Sequence, residues 1–110
     1  MIPARYSAYI VSKLAVAHLI SFLQVENPDL NFISFHPGVV ETEMNIKANM
    51  PVDREDIHLP ADFAVWLASK EASWLKGKFV WSNWDVKELL AKKEIILAGN
   101  DLTLQLAGWP

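Results

Sequence analysis

Tyr9 and Lys13, four positions apart, are the residues of this sequence whose types and spacing are best suited to chemistry. Side chains at that spacing leave a helix on one face, so a helix through this segment places a phenol beside an ammonium. A phenol has an ordinary pKa of about 10, and a neighbouring positive charge stabilises its phenolate form. The pair can therefore move a proton to or from a substrate oxygen. Taken alone the spacing is common, and an exposed Tyr with a solvated Lys explains it better.

The turn His36-Pro37-Gly38, with Thr42 soon after it, is the second feature of chemical interest. Gly lets the backbone approach a ligand closely, because it has no Cβ atom. Without a catalytic pair nearby, Pro37-Gly38 would be interpreted as an ordinary turn and Thr42 as a helix cap. The function of this segment therefore depends on its relation to Tyr9 and Lys13.

The remaining polar and aromatic residues favour structural roles. The His residues at 18, 36 and 58 lack the spacing of metal ligands, so we expect no metal site. We interpret His18 as a helix-surface residue, His36 as a loop residue and the cluster at 53–56 as a solvated charged turn. Three Trp residues fall where apolar faces are needed and are expected to anchor the core: Trp66, Trp74 and Trp81.

The first element that must position the catalytic pair is a helix at 7–26, for which Ser7 is a candidate cap and Asn27-Pro28 a stop signal. Its apolar residues recur at helical spacing, yet they cover the helix nearly all round. A helix of this kind needs partners on more than one side.

The rest of the chain alternates between short strands and helices. We predict a buried strand at 30–35, a loop or lid at 41–59, a helix from Pro60 that continues or re-forms up to Gly77, and a strand at 78–81. Asp85 and Glu88 predict the start of a helix at 86–98, and an apolar tail at 101–110 is expected to pack.

The order helix–strand–helix–strand–helix predicts two parallel strands joined by a right-handed crossover. This is part of a doubly wound, Rossmann-like α/β fold, and residues 1–110 form a single partial domain. Two strands are few for such a sheet, and an unpaired edge is expected beside residues 30–35.

The bulk composition excludes several function classes. The chain has 110 residues, 52% of them hydrophobic, and a net charge of −3, so it lacks the basic field that recruits nucleic acid or an anionic membrane surface. The uncharged run at 14–25 is too short to span a bilayer. The absence of Cys excludes thiolate chemistry and fits a reducing, cytoplasmic location.

Residues 6–15, including the small Ser12 before Lys13, resemble the active-site helix of the short-chain dehydrogenases/reductases. A strand and Pro37-Gly38 follow at the family's spacing, and residues 67–78 resemble its last helix leading into its final core strand. Residues 83–89 are similar to the ending of a fungal subgroup. The resemblance covers about residues 6–110 and is to the C-terminal half of such a protein.

The resemblance implies a role for each matching residue. Tyr9 would be the catalytic acid–base, and Lys13 would lower its pKa and bind the nicotinamide ribose. Pro37 and Gly38 would shape the loop beside the nicotinamide, and the carboxamide would be held by backbone groups and one hydroxyl, from Val39, Val40 and Thr42. The implied reaction is NAD- or NADP-dependent oxidation or reduction of alcohol or carbonyl groups, and the lid suggests a fairly apolar small-molecule substrate.

The departures from the family pattern concern the cofactor. The Gly-rich phosphate loop, the residue that selects NAD or NADP, and the catalytic Ser and Asn precede the Tyr in the family and are not found in these 110 residues. We therefore expect the isolated chain to hold the cofactor poorly and to be inactive. The alternatives are a truncated gene product and a non-catalytic interaction fragment that forms a homo-oligomer through the helix at 7–26.

Overall fold

A two-stranded parallel sheet organises the computed structural model, which describes residues 5–39 and 56–108. Strand β1 spans Ser34–His36, strand β2 spans Phe79–Trp81, and Phe35 lies beside Val80 in the register. The predicted parallel pairing is confirmed. Mixed helices and a parallel strand pair are consistent with part of a Rossmann-like α/β fold.

The helices are more divided than the sequence predicts. In chain order the described elements are α1 (Ser7–Glu26), β1, α2 (His58–Leu67), a 3₁₀ helix (Lys70–Leu75), β2, α3 (Val86–Ala91) and α4 (Lys93–Ala98). Of the two alternatives predicted between Pro60 and Gly77, the helix re-forms and does not continue, because Ser69 is extended, with a ψ of 161°. The helix predicted at 86–98 divides at Lys92, whose ψ of 3° leaves the helical region.

The core lies on one face of the strand pair. Val80 and Leu75 are fully buried, and the partly buried Ile33 and Phe35 pack against them. The other buried apolar residues come from all four helical elements after β1: Phe63, Ala72, Leu89 and Ile96. The apolar faces of these helices therefore cover the sheet, as a layered α/β arrangement requires.

One of the three Trp residues expected in the core lies outside it. Side chains alternate along a strand, so the burial of Val80 turns the next residue, Trp81, to the other face, where it is 41% exposed. Trp66 and Trp74 are half-buried and pack against the core, as predicted.

The start of α3 follows its sequence signal. The Asp85 carboxylate accepts hydrogen bonds from the backbone N–H groups of Lys87 (2.7 Å) and Glu88 (3.3 Å) and so caps the helix. Glu88 also accepts a hydrogen bond from the Lys92 ammonium at 2.7 Å, at the i,i+4 spacing that supports a helix.

The tail packs only at its beginning. Leu102 contacts the core, and its carbonyl accepts the Phe79 N–H at 2.8 Å along the edge of β2. The buried Lys78 donates from its ammonium to the Asp101 carbonyl at 2.9 Å. Leu106 is 95% exposed, so the expectation of a packed tail is wrong there. Trp109 and Pro110 lie outside the described residues.

Helix α1 has the predicted bounds and lies largely outside the core. Tyr6, not Ser7, occupies the cap position, and no side chain caps it, so the predicted Ser7 cap is wrong. None of its 20 residues is buried. By length and composition alone α1 could cross a membrane, with a mean hydropathy of 1.5. The uncharged stretch at 14–25 taken by itself is too short to span a bilayer, whereas the whole helix is long enough. A core helix passes the same test.

The Gln24 side chain ties α1 to the segment that enters β1. Its Oε1 accepts the Phe32 N–H at 2.8 Å, and its Nε2 donates to the Leu30 carbonyl, also at 2.8 Å. These bonds use backbone groups that a strand at 30–35 would use for pairing. The strand therefore begins at Ser34, and the predicted start at residue 30 is wrong.

A His–Asp pair stands at the start of α2. The Asp56 carboxylate accepts the backbone N–H of His58 at 2.8 Å and lies 2.7 Å from His58 Nδ1. The backbone hydrogen bond, with help from the imidazole, lowers the Asp56 pKa, and the hydrogen bond to Asp56 raises the His58 pKa. Asp56 is exposed, as expected for the charged cluster, whose residues 53–55 lie outside the described residues.

We expect replacement of Gln24 by Leu to destabilise the fold. The substitution removes the two short side-chain hydrogen bonds, to the backbone of Phe32 and Leu30, which are worth together about 2 kcal/mol. Urea unfolding of the Gln24→Leu and Gln24→Glu variants measures the effect, since Glu keeps the acceptor for Phe32 and loses only the donor. A Gln24→Leu variant as stable as the unchanged chain would contradict this role.

The Asp56–His58 pair predicts a specific pH dependence. A raised His58 pKa means that the pair stabilises the start of α2 below the ordinary His pKa, and that this contribution is lost as the pH rises through the raised value. At the acid end, the contribution is lost as the pH falls through the lowered Asp56 pKa.

An NMR titration of the His58 ring should give a pKa above its ordinary value, and Asp56→Asn should return it towards that value. Asp62→Asn is the matched control, because Asp62 acts on His58 only through a weaker charge effect. Equal responses to the two substitutions would show that the hydrogen bond to Asp56 is not the cause.

Candidate active site

The side chains of Tyr9 and Lys13 leave the same face of α1, as their spacing predicts, and both lie near its N-terminal end. The Lys13 ammonium lies 5.5 Å from the centroid of the Tyr9 ring, within the range of a cation–π contact. Tyr9 is 50% exposed, so its hydroxyl can be reached from outside. Ser12 donates from Oγ to the Tyr9 carbonyl at 2.7 Å, so its small side chain is folded back onto the helix.

Two lengths of chain, one along α1 and one along β1, relate this pair to the end of β1. The chain reverses after α1 and is fixed there by the Gln24–Phe32 hydrogen bond. Counting back from Gln24, Tyr9 lies about 22 Å along the helix, at about 1.5 Å per residue. Counting forward from Phe32, Gly38 lies about 20 Å along the extended chain, at about 3.3 Å per residue. Tyr9 and Gly38 therefore lie at similar distances along the chain from the Gln24–Phe32 hydrogen bond.

The turn after β1 has a defined internal structure. His36 is the last residue of the strand, so its interpretation as a loop residue is wrong. Its Nδ1 accepts the Gly38 N–H at 2.9 Å. Gly38 has a φ of +79°, in the left-handed region that favours Gly, while Pro37 is exposed. Val39 is half-buried, and the predicted site residues Val40 and Thr42 lie outside the described residues.

An aromatic stack crosses the carboxyl ends of the two strands. The rings of His36 and Trp81, which are partners in the parallel register, lie 4.2 Å apart at an interplanar angle of 11°. In open α/β sheets, ligands bind in the crevice beyond the carboxyl ends of the strands. The turn at Pro37-Gly38 therefore starts from the edge of the sheet where a ligand is expected.

Ser82 continues this edge with a buried polar atom. Its N–H donates to the His36 carbonyl at 3.0 Å, and the residue is 2% exposed. Within residues 5–39 and 56–108, no group is placed to bond its Oγ. No sequence signal marks Ser82 or Gln24 as functional. The spacing of His36 and Gly38 is a signal, because Asn and Asp form side-chain-to-backbone turns at the same spacing.

A cavity of about 590 Å³ lies beyond β2, away from the predicted site residues. Its floor is apolar, with Leu89, Ile96 and Leu102, and its rim carries three carboxylates and one ammonium, from Asp85, Glu88, Asp101 and Lys92. Since Asp85 caps α3 and Glu88 bonds Lys92, two of the carboxylates already have structural partners.

Comparison with known proteins gives several fungal relatives. The chain is 41% identical over 107 residues to the short chain dehydrogenase mpl6 of Monascus purpureus. The matched residues make up 91% of the chain and 36% of the relative. It is 38% identical over 107 residues to a short chain dehydrogenase/reductase of Claviceps purpurea, covering 91% and 37%. A third relative, nsrO of Aspergillus novofumigatus, is 40% identical over 102 residues. No protein-family model and no solved structure matches the chain.

The extent of these matches defines what the chain represents. It spans about a third of the length of these relatives, less than the half expected from the resemblance. The relatives carry the same family name and all are fungal, as the resemblance at residues 83–89 predicts. The chain therefore belongs to the short-chain dehydrogenase/reductase family and corresponds to a segment of a longer family member.

Proposed function

We propose that this segment supplies the proton-transfer pair and the nicotinamide-side turn of an oxidoreductase that acts on the alcohol or carbonyl group of a small molecule. The observation that carries the proposal is the placement of Tyr9 and Lys13 on one face of α1, with a reachable phenol. The Gln24 tie relates this helix to the strand that ends at Pro37-Gly38. Membership of the family supports the reaction class.

Tyr9 is the group proposed to move the proton. In the reducing direction the phenol donates its proton to the carbonyl oxygen, and in the oxidising direction the phenolate accepts the proton of the alcohol. Lys13, whose ammonium lies 5.5 Å from the centroid of the Tyr9 ring, is proposed to bind a ribose hydroxyl of the cofactor. The Lys13 ammonium faces the Tyr9 ring in this structure. Only its flexible side chain has to move for the ammonium to reach the ribose hydroxyl.

The residues present fit one end of a nicotinamide dinucleotide. When bound, NAD or NADP supplies or accepts the hydride. The turn at Pro37-Gly38, fixed by His36 and free of a Cβ atom at Gly38, suits close approach by a flat ring. Val39, Val40 and Thr42 are proposed to hold the carboxamide. The four Gly residues are scattered at 38, 77, 99 and 108, so this segment offers no Gly-rich cradle for the pyrophosphate.

The substrate is proposed to be a fairly apolar small molecule. The support is the composition of the lid at 43–59, which contains five large apolar residues: Met44, Ile46, Met50, Val52 and Ile57. Of these, Ile57 lies within the described residues and is exposed at the start of α2.

A second candidate function, an interaction segment, rests on the surface of α1. No residue of the helix is buried, and eight large apolar or aromatic side chains are exposed: Tyr9, Ile10, Val11, Leu14, Val16, Leu19, Phe22 and Val25. An exposed apolar surface of this kind marks a contact with another chain segment or another protein. We propose that the contact of α1 is with protein, since Lys13 and His18 place polar groups among these apolar side chains.

The proton-transfer role is tested in a chimera in which this chain replaces the matching third of the Monascus purpureus relative. Tyr9→Phe should lower kcat/KM for NADPH-dependent carbonyl reduction by about 10² to 10⁴, the range of general acid–base catalysis. Tyr6→Phe is the matched control, with the same change three residues away, and should leave the rate unchanged. Equal rates for Tyr9→Phe and the unchanged chimera would contradict the proposal.

The isolated chain is expected to show no measurable oxidation of NADPH with a panel of ketones. The reason is that most of the cofactor's binding energy comes from the phosphate cradle, which this segment does not offer. Turnover by the chain alone, at a rate above that of its Tyr9→Phe variant, would overturn this expectation.

The interaction role predicts that the isolated chain self-associates through α1. Size-exclusion chromatography with light scattering should give a dimer or larger species, and Leu14→Glu should shift it to the monomer. Leu106→Glu introduces the same charge at an apolar residue that is exposed away from α1 and should leave the assembly intact. A monomeric chain that unfolds cooperatively would rule out the role.

A further inference from the structure

We propose that His36 is the positioning residue of the turn at Pro37-Gly38, and that Trp81 holds its ring in place. The neutral imidazole, lying flat on the indole, accepts the Gly38 N–H and so fixes the backbone on the cofactor side of the site. What the turn does rests on the proposed function above, whereas how it is held rests on contacts within this chain.

The contact between His36 and Gly38 requires one protonation state of the imidazole ring. A backbone N–H can only donate, so the His36 Nδ1 that receives it at 2.9 Å must carry a lone pair. The ring proton of the neutral imidazole then lies on Nε2. The structure therefore assigns one of the two neutral tautomers to His36, and protonation of Nδ1 would remove the acceptor.

The position of the ring is also fixed. The backbone of His36 is held by β2, since its carbonyl accepts the Ser82 N–H at 3.0 Å. The ring itself lies 4.2 Å from that of Trp81, at an angle of 11°. This contact explains why a large aromatic residue of β2 stands outside the core. With backbone and ring both held, Nδ1 presents its lone pair in one direction.

The turn itself needs such a bond. Pro37 has no N–H of its own, and Gly38 has a φ of +79°, a conformation in which Gly is the least restrained residue. A flexible Gly after a Pro needs a partner if its backbone is to stay in one place. Asn and Asp supply such a partner by accepting the N–H two residues later, and His36 does the same with Nδ1.

The chemistry of the acceptor gives a sharp set of variants. Asn Oδ1, like His Nδ1, is bonded to Cγ, so His36→Asn keeps an acceptor at the same distance along the side chain. His36→Phe keeps a ring for the stack and removes the acceptor. Trp81→Leu keeps the acceptor and removes the stack.

NMR of the 110-residue chain tests the proposal without any turnover. The ¹⁵N shifts of His36 should show an unprotonated Nδ1 and a protonated Nε2. Amide exchange at Gly38 should accelerate by about fivefold to tenfold in His36→Phe, as expected for loss of one hydrogen bond. His36→Asn should restore slow exchange, and Trp81→Leu should fall between the two.

The Ser82 amide, which bonds the His36 carbonyl, reports whether β1 and β2 remain paired in each variant. If His36→Phe unfolds the chain, the tautomer in the unchanged chain still decides. A proton on Nδ1, or Gly38 exchange that is unchanged in a folded His36→Phe variant, would overturn the proposal. A confirmed tautomer together with a chimera indifferent to Tyr9→Phe would contradict the proposed function and leave the assignment of His36 standing.

Discussion

The hydrogen bonds of the Gln24 amide determine how the helix that carries Tyr9 and Lys13 meets the sheet. The side chain accepts from Phe32 and donates to Leu30, so the last turn of α1 is fixed against the segment entering β1. The same Phe32 accepts from Gly77 through its carbonyl at 2.6 Å, and a Cβ at Gly77 would lie 3.3 Å from Gln24 Cγ. Gly77, with a φ of +79°, thus lets the turn before β2 pass against α1. Helix, first strand and second strand meet at one polar junction.

The packing away from this junction is one-sided, and this asymmetry connects the fold with the function. The helices after β1 cover one face of the strand pair and supply the core around Val80 and Leu75. Helix α1 contributes no buried residue and leaves its apolar side chains exposed. The described part of the chain therefore contains a packed core and an uncovered helix that bears Tyr9 and Lys13. The chain covers about a third of its relatives' length. The proposals on activity and on assembly both depend on which protein surface or ligand contacts the uncovered α1.

Sequence reasoning predicts the local features whose causes are local. The bounds of α1, the Asp85 cap and the pair of Glu88 with Lys92 all follow from residues within one or two turns. It fails where distant residues decide. The start of β1 depends on a Gln eight residues away, and the exposure of Trp81 depends on which face of β2 the distant helices cover. In the candidate site, spacing predicts that Tyr9 and Lys13 share a face, and the spacing of His36 and Gly38 resembles an Asn or Asp turn, but nothing in the sequence marks the buried Ser82.

The proposed function requires the Tyr9 phenol of α1 to lie level with the turn after β1, and a distance measurement tests this placement. The chain has no Cys, so a single Tyr9→Cys substitution takes one nitroxide spin label. Paramagnetic relaxation should broaden the amide signals of Gly38 and Val39 and spare Leu30 at the opposite end of the helix. Strong broadening at Leu30 with Gly38 unaffected would place Tyr9 and Lys13 at the wrong end of the sheet and contradict the proposed function of this pair.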